Sequence, residues 1–228
     1  MSLLSFYHRL ATLQGETGPS ITSYVFDGNT TSYFADEAST PTMLDGVVNQ
    51  TFVIRIKITG SDVQQGILGC NNRANSLKME IDANDNRSDG AVVDTGSSTF
   101  TNGNISMDGQ WRNVFFYYDG TNIGFYEDNT LIKNHNDPDF TARTAGRALA
   151  IGASAIGGGL PGRLVGEISD VQFYNKRLSV GEIAALNIDL TDTASGLIAN
   201  FAGQKTSTTW TSELGGYVLT NQGGVTTA

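Results

Sequence analysis

The stretch "GRLVGEISDVQFYNKRLSVGEI", residues 162–183, changes its periodicity halfway along. Its first half places Ile168, Val171 and Phe173 in a β-branched, aromatic run. Strict alternation breaks between Ile168 and Val171, which predicts either a strand covered on both faces or a β-bulge. The second half changes to helical signals. Ser179 followed three residues later by Glu182 has the spacing of a capping box, in which each side chain takes the other's orphan backbone amide. Leu178 just before the cap, with Ile183 and Leu186 after it, would pin the first turn onto an apolar surface. The reading is a strand that ends at Phe173-Tyr174 and runs at once into a short helix.

The composition bounds what surrounds this stretch. At 228 residues the chain has room for one large all-β domain. Hydrophobic residues at 39% suffice for a core, while charged residues are only 16%, against roughly 25% in an average globular chain. Gly, Ser, Thr and Asn, residues of turns and strand surfaces, fill the difference. The net charge of −9, with no basic run longer than Lys176-Arg177, argues against a nucleic-acid partner. The lone Cys70 excludes an internal disulfide and reads as a core thiol. His8 and His135 stand in unrelated contexts, so no Cys/His metal spacing or Ser-His-Asp constellation arises. No segment is long and apolar enough for membrane insertion, and His8-Arg9 interrupts the apolar N-terminus in a way a secretion signal would not.

Three regions follow. In residues 1–20, Leu3, Phe6, Tyr7, Leu10 and Leu13 recur near helical spacing before Gly15 to Pro19, predicting a short helical or extended arm. Residues 21–190 carry short candidate strands at 24–26, 51–59, 66–70, 77–81, 91–94, 112–118, 122–127, 130–133, 148–151 and 164–173. Turn residues such as Asp119-Gly120 separate them. Residues 191–228 are rich in Ser, Thr and Gly but keep strand-like pieces at 197–201 and 217–219. They are expected to complete the sandwich or to form an assembly interface. Many short strands with little helix predict a two-sheet antiparallel β-sandwich.

Ordered motifs sharpen this. They are Tyr24-Val25-Phe26-Asp27-Gly28, Phe52-Val53-Ile54-Arg55-Ile56-Lys57, Gly66-Ile67-Leu68-Gly69, the Trp111 to Asp128 hairpin, Leu149-Ala150-Ile151-Gly152, and Gly166 through Asn175 with Leu178-Ser179 and Glu182-Ile183. In this order the chain resembles the laminin G-like members of the concanavalin A-like lectin/glucanase superfamily over roughly residues 22–186. The resemblance implies a jelly roll of two antiparallel sheets. In such proteins the last motif is a sandwich-closing strand followed by a packed helical turn.

Two motifs offer chemistry. Glu80-Ile81-Asp82-Ala83-Asn84-Asp85 is similar to the E-x-D-x-x-E signature of glucanases in that superfamily, with Asp85 in place of the last Glu. The shorter Asp85, on the opposite strand face from Glu80 and Asp82, does not suit the ~5–5.5 Å carboxyl spacing of a retaining mechanism. The expectation is therefore a protein that is not an enzyme. Asp82, Asn84, Asp85 and Asp89 offer hard oxygens of the kind calcium prefers, against the alternative of a solvated acidic loop. Gly157-Gly158-Gly159 lacks the Lys-Ser/Thr of a phosphate loop. Trp111 opens a strand and reads as core. Trp210, in the Ser/Thr-rich C-terminal segment, reads as a ligand-binding, sugar-stacking or interface aromatic.

The leading expectation is a non-catalytic structural or attachment protein of a virus particle, such as a phage capsid decoration, tail or fibre component. It would self-associate and bind other virion proteins through the apolar arm. The alternatives are an extracellular glycan-binding module with cell-surface glycans as partners, and, third, a glucanase.

Overall fold

The computed structural model of the chain describes residues 23–29, 31–35, 49–60, 65–70, 79–81, 105–136, 149–153, 163–188, 194–202 and 204–228. The arm at 1–20, the strand expected at 91–94, the loop carrying Asp82 to Asp89, and Gly157 to Gly159 lie outside them.

The described strands form two sheets. The first runs β15 (Thr226–Thr227), β1 (Tyr24–Asp27), β10 (Val165–Tyr174), β3 (Gln50–Ile58), β6 (Trp111–Tyr118), β7 (Asn122–Glu127), β8 (Thr130–Asn136), with β11 (Leu197–Asn200) also on β10. The second runs β12 (Gln204–Lys205), β13 (Thr209–Thr211), β14 (Val218–Asn221), β2 (Phe34–Ala35), β9 (Leu149–Ile151), β4 (Gln65–Cys70), β5 (Met79–Ile81). Every pairing among them is antiparallel. This is the expected concanavalin A-like jelly roll.

Alternation drives the layering. In β3, Phe52, Ile54, Ile56 and Ile58 enter the core between the sheets, as do Val114, Phe116 and Tyr118 of β6. The second sheet answers with Phe34, Leu68, Met79, Leu149, Ile151, Trp210 and Leu219. At ~25 cal/mol per Å² of apolar area removed from water, this cluster is the main source of stability.

Of the two readings of the break in β10, covering on both faces or a bulge, the bulge is present. The register against β3 shifts between Ile168 and Asp170, with Ile168, Val171 and Phe173 all reaching the core. One edge of β10 runs along β3, while the other is shared. β1 pairs with Val165 to Ile168, and β11 pairs with Gln172 to Tyr174. The bulge sits where the partner changes.

The helix α1 (Val180–Ile188) begins with the capping box. The Ser179 amide donates to Glu182 Oε2 at 2.9 Å, and the Glu182 amide donates to Ser179 Oγ at 3.3 Å. An N-cap Ser contributes about 1 kcal/mol. Leu178, Ile183 and Leu186 pack on Val53, Phe115, Tyr117, Tyr126 and Tyr174. These form the outer face of the first sheet, so β6 is apolar on both sides. Thr51 ties down the connection, its Oγ1 donating to Lys176 O at 2.7 Å and accepting the Leu178 amide at 3.1 Å. Arg177 reaches Asp119 Oδ2 at 2.5 Å with its guanidinium 4.1 Å from the Tyr117 ring centroid.

Of the two readings of residues 191–228, the described part fits the completion of the sandwich. β11 and β15 belong to the first sheet and β12 to β14 to the second, so the segment completes both layers.

Candidate functional site

The helix covers only part of the outer face of the first sheet, and the site begins where it stops. Odd-numbered positions of β6 face outward. Phe115 and Tyr117 lie under α1, Asn113 is buried at its end, and Trp111 is half-buried one step further on. Asn113 Nδ2 donates to Asn187 Oδ1 at 2.9 Å and to Asn187 O at 3.3 Å, fixing the last turn of α1 to the sheet. Beyond this contact the outward side chains of the described strands are polar, apart from Trp111, Val25 and Val165.

Register places these side chains in a row across five strands. Thr226 pairs with Val25, Val25 with Glu167, Glu167 with Lys57, and Lys57 with Trp111. In the neighbouring row Arg55 pairs with Asn113 and Asp170. Outward cross-strand neighbours stand about 4.5–5.5 Å apart at Cβ, close enough to interact. The Arg55 guanidinium lies 5.6 Å and the Lys57 ammonium 5.7 Å from the Trp111 ring centroid. Each such cation–π contact is worth ~0.5–1 kcal/mol at a partly solvated site and holds the indole in place.

The charges here are unequally satisfied. Lys57 forms an ion pair with Glu167, which also accepts the Ser23 hydroxyl at 2.7 Å. Burial pushes the Glu167 carboxyl up, but Lys57 and Ser23 outweigh it and hold the group below its usual range. Arg55 donates from Nη1 to Asn113 Oδ1 at 3.1 Å, and among the described residues it forms no ion pair. An indole edge, a fixed guanidinium, a neutral Lys–Glu pair and a hydroxyl thus share one surface. That combination suits a ring with polar substituents: an apolar face for the indole and hydroxyl or carboxyl groups for the donors.

Trp111 corrects the sequence reading, which placed it in the core. The run Trp111 to Tyr118 hides its alternation because α1 makes the outward positions 115 and 117 apolar too. Arg55 and Lys57 were visible as the polar face of β3, but the strand beside them was not.

Trp210 is corrected in the opposite direction. It is 0% exposed, its Nε1 donates to Phe201 O at 2.7 Å, and its ring packs on Tyr24, Phe34 and Phe201. A fully enclosed indole has no face for a ligand to stack on. Glu80 pairs with Gly66 in β5 through its backbone, while its side chain lies outside the described residues. So do the calcium candidates Asp82, Asn84, Asp85 and Asp89, and the arm residues Leu3, Phe6, Tyr7, Leu10 and Leu13. Among the described residues no group of three or more metal-ligating side chains gathers.

The family model described as concanavalin A-like lectin/glucanases superfamily matches residues 27–184. A search of curated proteins gives no match. Among solved structures, a protein described as carbohydrate-binding from Bacteroides ovatus superposes with a TM-score of 0.66 at 13% identity, covering 92% of this chain and 60% of its own. The heptameric SAP-like pentraxin of Limulus polyphemus gives 0.61 at 18% identity, with 92% and 97% covered. The NanB sialidase of Streptococcus pneumoniae gives 0.54 at 16%, with 73% and 28% covered. At these identities the likeness is one of fold.

Proposed function

The chain belongs to the concanavalin A-like lectin/glucanases superfamily, and from that premise we propose that it is a non-catalytic glycan-binding module serving virus-particle attachment. Glycan binding is carried by one observation: half-buried Trp111, with Arg55 and Lys57 over its ring, on the part of the sheet that α1 does not cover. The similarity in fold to the Bacteroides ovatus protein supports it.

The non-catalytic reading rests on Asp85, one methylene shorter than the last Glu of the glucanase signature. A glycosidase acid needs a raised pKa. Among the described residues the shifted carboxyls move down. The Asn29 amide lowers Asp27, the Gln110 amide lowers Asp108, and the Lys176 ammonium lowers Glu182.

A glycan array tests the module. Wild-type protein should be retained by at least one glycan class, and Trp111→Ala should lose tenfold or more in affinity. That loss equals about 1.4 kcal/mol, within the range of an aromatic hot spot. Incubation with β-glucans, laminarin and carrageenans should release no reducing ends. Retention unaffected by Trp111→Ala would remove the platform. Hydrolysis that disappears in Glu80→Gln would overturn the non-catalytic reading.

The virion setting is supported by the low charge content and the Thr-, Ser- and Asn-rich strands. Mass spectrometry of purified particles should find this chain as a stoichiometric component. Its absence would leave a glycan-binding module working elsewhere, outside the cell.

A further inference from the structure

We propose that the Trp111 platform selects acidic saccharides, with a sugar ring on the indole and its carboxylate on Arg55. The inference rests on the glycan-binding reading above and goes beyond it by assigning the ligand's charge.

The charge inventory of the face carries the argument. Lys57 is neutralised by Glu167, and Ser23 adds a second donor to the same carboxylate. That pair is closed. Asp170 stands opposite Arg55 in the register, but its Oδ2 accepts the Ser169 hydroxyl at 2.5 Å and it forms no ion pair with Arg55 among the described residues. Among the described residues, Arg112 pairs with Asp108, Arg177 with Asp119, and Lys176 with Glu182. Among the described cations of this face, Arg55 is the one whose hydrogen-bond partner is neutral, the Asn113 amide oxygen. An amide oxygen orients a guanidinium without cancelling its charge.

Orientation is also already supplied. Asn113 is fixed to the last turn of α1 through Asn187, and Arg55 is fixed to Asn113. A guanidinium carries five N–H donors in a planar fork, and Nη1 gives one to Asn113. The remainder can take a carboxylate in paired hydrogen bonds, the geometry in which arginine surpasses lysine. Trp111, close beside Arg55, supplies the apolar surface for the ring bearing that carboxylate. The chain's net charge of −9 repels polyanions at long range. Selection is therefore local, one carboxylate on one guanidinium, not capture by a diffuse basic field.

The test titrates the full chain with three ligands of equal length: an oligogalacturonate, a neutral cello-oligosaccharide and a sulfated carrageenan oligosaccharide. Tryptophan emission reports the site, since Trp210 is enclosed in the core and Trp111 is the partly exposed indole. Oligogalacturonate should bind at least tenfold more tightly than the neutral ligand. Arg55→Gln should abolish that preference, so that acidic and neutral ligands bind the variant alike, and Arg55→Lys should restore part of it. Equal affinity for neutral and acidic ligands, or a preference that survives in Arg55→Gln, would overturn acidic selection and leave glycan binding standing. Sulfated ligand binding as tightly as oligogalacturonate would overturn the carboxylate assignment. No response in any arm, with no binder on the array, would remove the glycan-binding reading and this inference with it.

Discussion

Trp210→Ala should destabilise the protein by about 3–5 kcal/mol, the range for emptying a large aromatic site in a packed core. Few positions join so much. The ring centroid lies 5.0 Å from Tyr24 of the first sheet, 5.7 Å from Phe34 of the second, and 5.8 Å from Phe201 just after β11. Removing the indole opens a cavity between the layers and leaves Phe201 O without the Nε1 donor it now has. The unpaired buried carbonyl, worth roughly 1–3 kcal/mol by itself, keeps the loss at the upper end of that range. Against a total stability of about 5–15 kcal/mol, the variant approaches the threshold of unfolding. Trp210→Phe refills part of the volume without the donor and should fall between. Urea unfolding reads the difference; a loss under about 1 kcal/mol for Trp210→Ala would contradict its place in the core.

Gly152→Ala should be nearly as damaging, although it adds one methyl group. Gly152 has a φ of 83°, where a Cβ costs about 1–2 kcal/mol. An added Cβ would lie 2.2 Å from Cε1 and 2.4 Å from Cδ1 of Phe26. That ring is buried in the inter-sheet core and has no room to retreat. Overpacking of this kind costs about 1–3 kcal/mol, so the total is roughly 2–5 kcal/mol. The backbone is held on both sides, its amide bonded to Ile67 O at 2.8 Å and its carbonyl to the Leu164 amide at 3.0 Å. Gly181 of α1 is the control. Nothing lies within 4 Å of a Cβ there, and Gly181→Ala should stabilise by roughly 0.5–1 kcal/mol through helix propensity. Thermal melts of the two variants moving in the same direction would refute the contrast.

How far the fold could be read in advance depended on whether its determinants were local. Ser179 and Glu182 are three residues apart, so their mutual hydrogen bonds were legible from spacing. The Ile168–Val171 break was legible for the same reason and is a bulge. Strand partners are not local: nothing near Lys57 says that Trp111 lies beside it, so alternation alone reached only a sandwich. The motif order and its resemblance supplied the jelly-roll topology. The two tryptophans show the limits of context. Trp210 sits among Ser and Thr, which suggested exposure, yet those residues occupy the outward positions of a strand whose inward residue is the indole. Trp111 sits in an apolar run that suggested burial, yet the covering helix ends before reaching it. The platform was therefore missed, while the acidic stretch at Glu80 to Asp89 drew attention by composition alone.

The pairing of Tyr24 with Thr227 bears on how the molecule is made. β1 meets its sheet neighbours only when β10 and β15 exist, and β2 waits for β9 and β14. Early strands thus spend synthesis without their partners, since ribosomes add about 5–20 residues per second. Long-range pairing of this kind places the protein among slow-folding, high-contact-order β topologies. Until the final strands arrive, Tyr24, Phe26 and Phe34 are apolar surface without a finished core. The emerging chain is most exposed to aggregation in that interval, and the low temperatures or chaperone supply that shield nascent β-sheets should govern its yield.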